Sequence, residues 1–371
     1  MKIKKNSYPG TIKRGNTWSF YFNVDERKIW HSGFSSQKEA AEARSEALTA
    51  RNRGTYVKSQ NISIESYIET YWLPTLSSRV KPTTEKQYRQ KTKYVIEIMG
   101  GRKIQDLRPV DVEQMKSKLL LRDSSPRTVA MAMQVLNMIC QHARDVGQLI
   151  RTNPCEKVHK PRQIQGKEVR AMTPEQVRSI LTSSKEGQWA GFVRLAFYTG
   201  ARRGELLGLR WTDINFKAST VTFKSNIVDT DDGMTEQSTK SGRGRTLTVD
   251  AQTLTVLRTQ RTDQLAKRLE LGEYWQGTDD WVTVRPDGSR VTPNAATVAW
   301  KRICNKADVQ GFRLHDARHT HATYLLASGV PLHVAAARLG HGDPMITAKT
   351  YAHVLDMQAI EASAVFTKAM G

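Results

Sequence analysis

Breaking a phosphodiester without a metal takes four groups: a nucleophile, fixed positive charge on the non-bridging oxygens, a base for the nucleophile's proton and an acid for the departing 5′ oxygen. The second half of the chain offers a candidate for each. Arg202 lies just after Gly200 where a helix is predicted to begin, so backbone N–H groups and a guanidinium meet at one end, a setting that suits an anion. His315 and Arg318 are three apart on another predicted helix and share a side. Arg318 completes a clamp, and His315 is placed to accept a proton. Lys240 falls in a turn before a predicted strand, Arg245 to Val249, from which a flexible ammonium reaches a leaving oxygen as general acid. Tyr351 is the candidate nucleophile. Its attack would leave a 3′-phosphotyrosyl bond that keeps the energy of the broken linkage, so that a second 5′ hydroxyl reverses the step without ATP.

Singly, these residues have ordinary explanations. A tyrosine among eleven is most often packing, Arg202 and Arg203 beside Glu205 read equally well as a surface ion pair, and a His-x-x-Arg spacing on a helix recurs by chance. Their joint order is another matter: Thr199-Gly200-Ala201-Arg202-Arg203-Gly204-Glu205-Leu206, Thr239-Lys240, Leu314-His315-Asp316-Ala317-Arg318-His319-Thr320, Leu339-Gly340-His341, then Thr350-Tyr351-Ala352-His353-Val354. This series closely resembles the tyrosine recombinases, the phage integrase family, from about Thr173 to the end and more loosely over the two segments before it. The resemblance implies a site-specific recombinase with Arg202, Lys240, His315, Arg318, His341 and Tyr351 as its catalytic set and His341 donating to the same phosphate. It also implies double-stranded DNA with core and arm-type attachment sites as substrate, and integration or excision of a phage or mobile element. A homotetramer on DNA, a directionality factor and a host DNA-bending protein would be its partners. The rivals are a type IB topoisomerase-like enzyme, which shares the phosphotyrosine but relaxes supercoils, and a DNA-binding regulator that acts by occupancy.

No cofactor and no metal are expected. Gly166-Lys167 is followed by Glu168 and lacks the upstream glycine of a P-loop. His319 and His321 fit no standard zinc spacing, and Asp229-Thr230-Asp231-Asp232-Gly233 reads as a turn between strands in preference to a two-metal nuclease site or a calcium loop. The formal charge of +21 and pI near 9.9 favour a polyanionic partner and steeply salt-dependent binding. A membrane surface is the competing partner, but no apolar run approaches the ~18 residues of a spanning helix. Lys2, Lys4 and Lys5 precede no signal-peptide stretch, so the expected location is the cytoplasm of a bacterial host, associated with DNA. Cys140, Cys155 and Cys304, odd in number and widely spaced, fit reduced thiols.

The elements that must position these groups read as a multidomain chain, mainly α with small β elements. Residues 1–58 form a basic three-stranded sheet plus helix: alternating apolar residues (Ile12; Trp18, Phe20, Phe22, Val24; Ile29, Trp30) break at Gly15-Asn16 and Asp25-Glu26, and Ser36 caps a helix to about Arg53. The pattern resembles the arm-type DNA-binding domain of some integrases. Residues 59–155 are helical, with stretches Ile62 to Leu73, Thr83 to Met99, Arg108 to Leu121 and Ser124 to Gly147, and resemble the core-binding domain. Expected DNA contacts are Lys13, Arg14, Trp18 and Lys28 in the first domain and Lys81, Arg89 and Arg127 in the second. Residues 156–170 are polar and aperiodic, a linker that would let two domains clamp a duplex. Residues 171–371 form a mixed α/β catalytic domain opening on Thr173-Pro174-Glu175-Gln176 as a capped helix start. Its tail carries an apolar stripe (Met357, Ile360, Ala364, Phe366 to Ala369) that in the family packs onto a neighbouring subunit.

Overall fold

The computed structural model describes residues 8–24, 27–54, 56–162, 170–231, 233–238 and 244–352. The chain divides into two units, Met1–Ile164 and Gln165–Gly371. In the first, an antiparallel meander runs β1 (Thr11–Arg14), β2 (Thr17–Val24), β3 (Arg27–Phe34). Because side chains alternate along a strand, Trp18, Phe20 and Phe22 share one face. There they close with Ala40 and Ala43 of α1 (Gln37–Asn52) into a small core. Ser36 caps α1 by accepting the Glu39 N–H, which satisfies one of the donors a helix start leaves open.

The rest of this unit is helical: α2 (Ile64–Tyr67), α3 (Pro82–Met99), α4 (Pro109–Leu121) and α5 (Pro126–Asp145). The last three each carry a proline at the first helical position, where its missing N–H costs nothing. They enclose Trp72, Met115, Leu136 and Ile139. The long helix expected over Ile62 to Leu73 is instead one α turn, a π-helical turn at Ile68–Trp72 and a 3-10 turn at Leu73–Thr75. Pro74 cannot continue the i to i−4 ladder, and the backbone changes pitch to meet it.

The second unit begins with α6 (Pro174–Ser183), held by the reciprocal bonds of Thr173 and Gln176. The apolar α7 (Ala190–Thr199) then runs through the core, and a short α8 (Arg203–Leu207) follows it. Strands β4 (Ile214–Asn215) and β5 (Thr220–Phe223) pair with each other, β6 (Ser225–Thr230) and β7 (Gly233–Ser238) form a separate hairpin, and β8 (Arg245–Thr248) joins β5. Of the acidic run expected to be a turn between strands, Asp229 and Thr230 end β6, Asp231 follows and Gly233 opens β7, while Asp232 lies outside the described residues. Helices α9 (Ala251–Leu271), α10 (Pro293–Lys306), α11 (Leu314–Ala327), α12 (Leu332–Leu339) and α13 (Pro344–Thr350) complete the unit. Its main core gathers Phe192, Phe197, Val221, Leu257, Trp281 and Trp300. A second, smaller cluster of Ala322, Leu326, Ala335 and Leu339 takes in Tyr351. Among the described residues no helix is long and apolar enough to cross a membrane.

Candidate active site

Two left-handed glycines set the site's scaffold. Gly200 ends α7 at φ 61° and Gly340 ends α12 at φ 69°, a backbone conformation that a Cβ penalises. A Cβ would also crowd neighbouring side chains, lying 2.8 Å from a Leu339 methyl at Gly200 and 2.9 Å from an Arg245 guanidinium nitrogen at Gly340, so these side-chain ends would have to shift. Each turn leaves a carbonyl that an arginine then claims. Arg318 Nη1 donates to Gly200 O at 2.7 Å, and Arg202 Nη2 donates to Gly340 O at 3.2 Å. The segments carrying Arg202, Arg318 and His341 are thereby tied together through main chain.

At the centre lies Glu205, only 1% exposed. It accepts from Arg202 (N–H, 2.7 Å, and Nη1, 2.9 Å) and from both terminal nitrogens of Arg245 (3.0 and 2.8 Å). Burial pushes the Glu205 carboxyl up, but the hydrogen bonds and charge of Arg245, and then those of Arg202, outweigh it and hold the group at about 2. The reading of Arg202 and Glu205 as a surface ion pair therefore does not describe this structure. Arg318 is 3% exposed; burial, then the charges of Arg202 and Arg245, lower its guanidinium to about 9, and it stays a cation at neutral pH. Its Nη2 is buried with no hydrogen-bond partner among the described residues. Three guanidiniums against one carboxylate leave net positive charge with a donor unspent, the electrostatic form of an anion site.

The nucleophile candidate sits beside this cluster. Tyr351 caps the C-terminal end of α13, its N–H bonded to Thr347 O at 3.0 Å, and its ring is buried at 1% exposure. Burial raises the phenol to about 12 against a small opposing pull from Arg318, so the hydroxyl keeps its proton at neutral pH. That hydroxyl meets His319 Nδ1 at 2.8 Å. His315, the expected base, stands edge-on to His319 with ring centroids 4.7 Å apart. His341 Nδ1 meets Thr347 Oγ1 at 2.7 Å, leaving Nε2 for another partner, and burial, then Arg318, Arg202 and Arg245, lower its ring to about 4. Thr347 thus links His341 to the turn that ends in Tyr351. Lys240 lies outside the described residues, as does the apolar tail from Met357.

The match that decides the affiliation runs over residues 170–358, about half the chain and the whole stretch just described, which fit the family model described as the phage integrase family. The chain belongs to the phage integrase family. As a member it is a site-specific DNA recombinase, an enzyme that breaks and rejoins DNA strands. Among curated relatives, a tyrosine recombinase XerC-like protein of Caldanaerobacter subterraneus is 27% identical over 88% of each chain. The ICEBs1 integrase of Bacillus subtilis is 25% identical over 86% of this chain and 87% of its own length. The fold is that of the Tn1549 transposon integrase solved with a circular intermediate DNA (TM-score 0.67, 16% identity, 82% of this chain and 99% of that one). A lambda integrase tetramer bound to a Holliday junction also superposes (TM-score 0.60, 14% identity, 94% and 96%).

The expected DNA contacts divide by strand geometry. Cross-strand partners share a face, and Arg14 opposite Thr17, Tyr21 opposite Trp30 and Asn23 opposite Lys28 define the face away from α1. There Arg14 stacks 4.1 Å from the Trp30 ring and Lys28 5.2 Å from that of Tyr21. Lys13 pairs with Trp18, so both belong to the α1 side, and Trp18 packs into that small core. Lys81 and Arg127 are exposed at the starts of α3 and α5, whereas Arg89 gives two hydrogen bonds to Glu85 of its own helix (3.0 and 2.7 Å). Sequence reasoning passed over Arg245, Thr347 and the Tyr351 contact of His319. Only His319 carried a signal, its spacing of four from His315, which puts the two rings on one face of α11.

Proposed function

We propose that this recombinase cuts and rejoins duplex DNA through Tyr351, integrating and excising a phage or other mobile element in a bacterial cytoplasm. Arg202 and Arg318 clamp the scissile phosphate, and His341 donates to it. Lys240 protonates the departing 5′ oxygen, while His315 stands beside the nucleophile's own hydrogen-bond partner. Residues 1–58 bind arm-type sites, 59–155 bind the core site, 156–170 link, and 171–371 carry the chemistry. Four copies assemble on the DNA, as the lambda integrase does on a Holliday junction, with a directionality factor and a host bending protein choosing the direction. The observation that carries the reading is the unspent buried donor of Arg318 on the helix whose His319 holds the Tyr351 hydroxyl at 2.8 Å. A buried guanidinium with one terminal nitrogen unsatisfied is expensive unless an anion completes it.

The test is covalent trapping on a nicked attachment-site duplex, which loses its short strand after cleavage. Wild type should give an SDS-resistant protein–DNA adduct and, with intact sites, recombinants; Tyr351→Phe should bind with near-native affinity and give neither. An adduct that survives in Tyr351→Phe removes the nucleophile. Adduct without recombinants is the topoisomerase outcome, and binding without adduct in wild type is that of a regulator.

A further inference from the structure

Two cysteines of the first unit meet across a docked turn. Asn137, Cys140 and Arg144 lie three and four apart on α5 and so share a face of it. Residues 153–158 turn back onto that face and are tied to it on both sides of Cys155. On one side Asn153 Nδ2 donates to Asn137 Oδ1 at 2.8 Å and to Asn137 O at 3.2 Å, while Asn153 Oδ1 accepts the Cys155 N–H at 2.9 Å. On the other, Arg144 Nη1 donates to Glu156 Oε1 at 2.6 Å. Between these ties the Cys140 thiol is hydrogen-bonded to Cys155, and both side chains pack into the same core as free thiols. We infer that Cys140 and Cys155 form a redox modification site, a dithiol that a low-molecular-weight disulfide closes into an intramolecular one.

The two thiols are unequal in the way that thiol–disulfide exchange uses. Cys140 is fully buried, and its hydrogen bond to Cys155, then burial, hold its thiol well above the usual range, so it stays protonated and out of an oxidant's reach. Cys155 is only half-buried and meets solvent. Its thiolate attacks one sulfur of the small disulfide; the new sulfur–sulfur bond forms as the old one breaks and a first small thiolate leaves. Cys140 then gives up its proton and attacks Cys155 Sγ, expelling the second small thiolate. The protein loses two electrons and two protons, and the oxidant leaves as two thiols. Because Cys140 already touches Cys155, the second step needs no encounter with another molecule. The bond closes a loop of roughly 15 residues and staples to α5 the segment from which the expected linker departs, which restricts the unfolded chain. Transient disulfides of this kind are compatible with a reducing compartment. Cys304 is the natural control, since it lies in the core of the other unit and burial raises its thiol to about 11.

The experiment incubates the reduced, folded, full-length chain with oxidised glutathione, alkylates the remaining thiols and maps the peptides by mass spectrometry without reduction. A peptide pair linked through Cys140 and Cys155 is expected, with Cys304 alkylated. The oxidised protein should melt higher by about 5–10 °C, and dithiothreitol should reverse the rise. Cys140→Ala should stop at a glutathione mixed disulfide on Cys155, whereas Cys155→Ala should leave Cys140 a free thiol. If the alanine at 140 loosens the core, Cys140→Ser is read in the same way. A glutathione adduct that persists on Cys155 of the wild type overturns the proposal. So does a linked peptide that forms only in urea, because the native fold would then hold the thiols apart. Cys140 reacting in Cys155→Ala as fast as in wild type overturns the order of attack, and a melting temperature that falls on oxidation overturns the staple.

Discussion

Two basic regions of this chain use positive charge in opposite ways. In the pocket around Glu205 the Arg318 guanidinium is buried and those of Arg202 and Arg245 are partly so, bonded to a carboxylate and to carbonyls at the ends of α7 and α12, and fixed before any DNA arrives. On the N-terminal sheet Arg14 and Lys28 lie over aromatic rings on an open face, where Trp30 is 40% exposed. Fixed charge in a dry site stabilises developing charge without reorganising, which is what a transition state needs. Charge in water exchanges counterions with a phosphate backbone, which gives affinity that salt erodes. Rate and affinity should therefore respond to different residues.

The largest break in that contrast would come from Arg318. Replacing it by Ala removes the buried donor with no partner, and adduct formation should fall by at least ~100-fold, as for the loss of one preorganised donor. The affinity for a core-site duplex should change little in comparison. Filter binding at several salt concentrations, run beside single-turnover cleavage, measures both. A loss confined to binding would mean that the pocket only holds DNA.

The contrast also marks how much was legible beforehand. Ser36, Thr173 and Gln176 signalled helix starts that the structure keeps, because a cap is a local bond between residues three apart. The meander was readable for the same reason, its period being two residues. The side of the sheet was not: Trp18 shows the same alternation whichever face α1 covers, and only the packed core decides that it turns inward. In the site, Arg202, Arg318 and Tyr351 were identified through a motif order. What the motif omits are the contacts that fix them. Arg245 lies 40 residues from Glu205, and the His319 to Tyr351 bond spans 32, distances over which no pattern of period two or 3.6 carries information.

A smaller effect, on stability, separates the buried network from the rest of the protein. Glu205 has a folded value of about 2 against an ordinary 4.5, so its ionised form contributes stability that is complete above about pH 4.5 and is lost as pH falls toward 2. The contribution at neutral pH is on the order of a few kcal/mol. Glu205→Gln removes the titration and leaves Arg202 and Arg245 facing a neutral amide. Its melting temperature should be lower than wild type at pH 7, with the gap closing as pH drops below 4.5. Scanning calorimetry at stepped pH reads this, and a gap that stays constant into acid would show that Glu205 is not held ionised by its arginines.

The mildest change should come from the open sheet. Arg14→Ala with Lys28→Ala removes two exposed cations from the face that also presents Tyr21 and Trp30, and touches none of the bonds of the Glu205 network. If each meets one phosphate, the slope of log affinity against log salt for arm-type DNA should fall by about 1.8, at ~0.9 per contact, and the loss in affinity should shrink as salt rises. Cleavage at a core site should keep its wild-type rate. Lys13→Ala is the internal control, because Lys13 lies on the side of the sheet that α1 occupies and its loss should leave the arm slope unchanged. Equal slopes for the double variant and for Lys13→Ala would mean that the sheet's two faces are not distinguished by DNA and that its charges act only as a diffuse field. A double variant that also cleaves core DNA slowly would erase the division between open and buried charge.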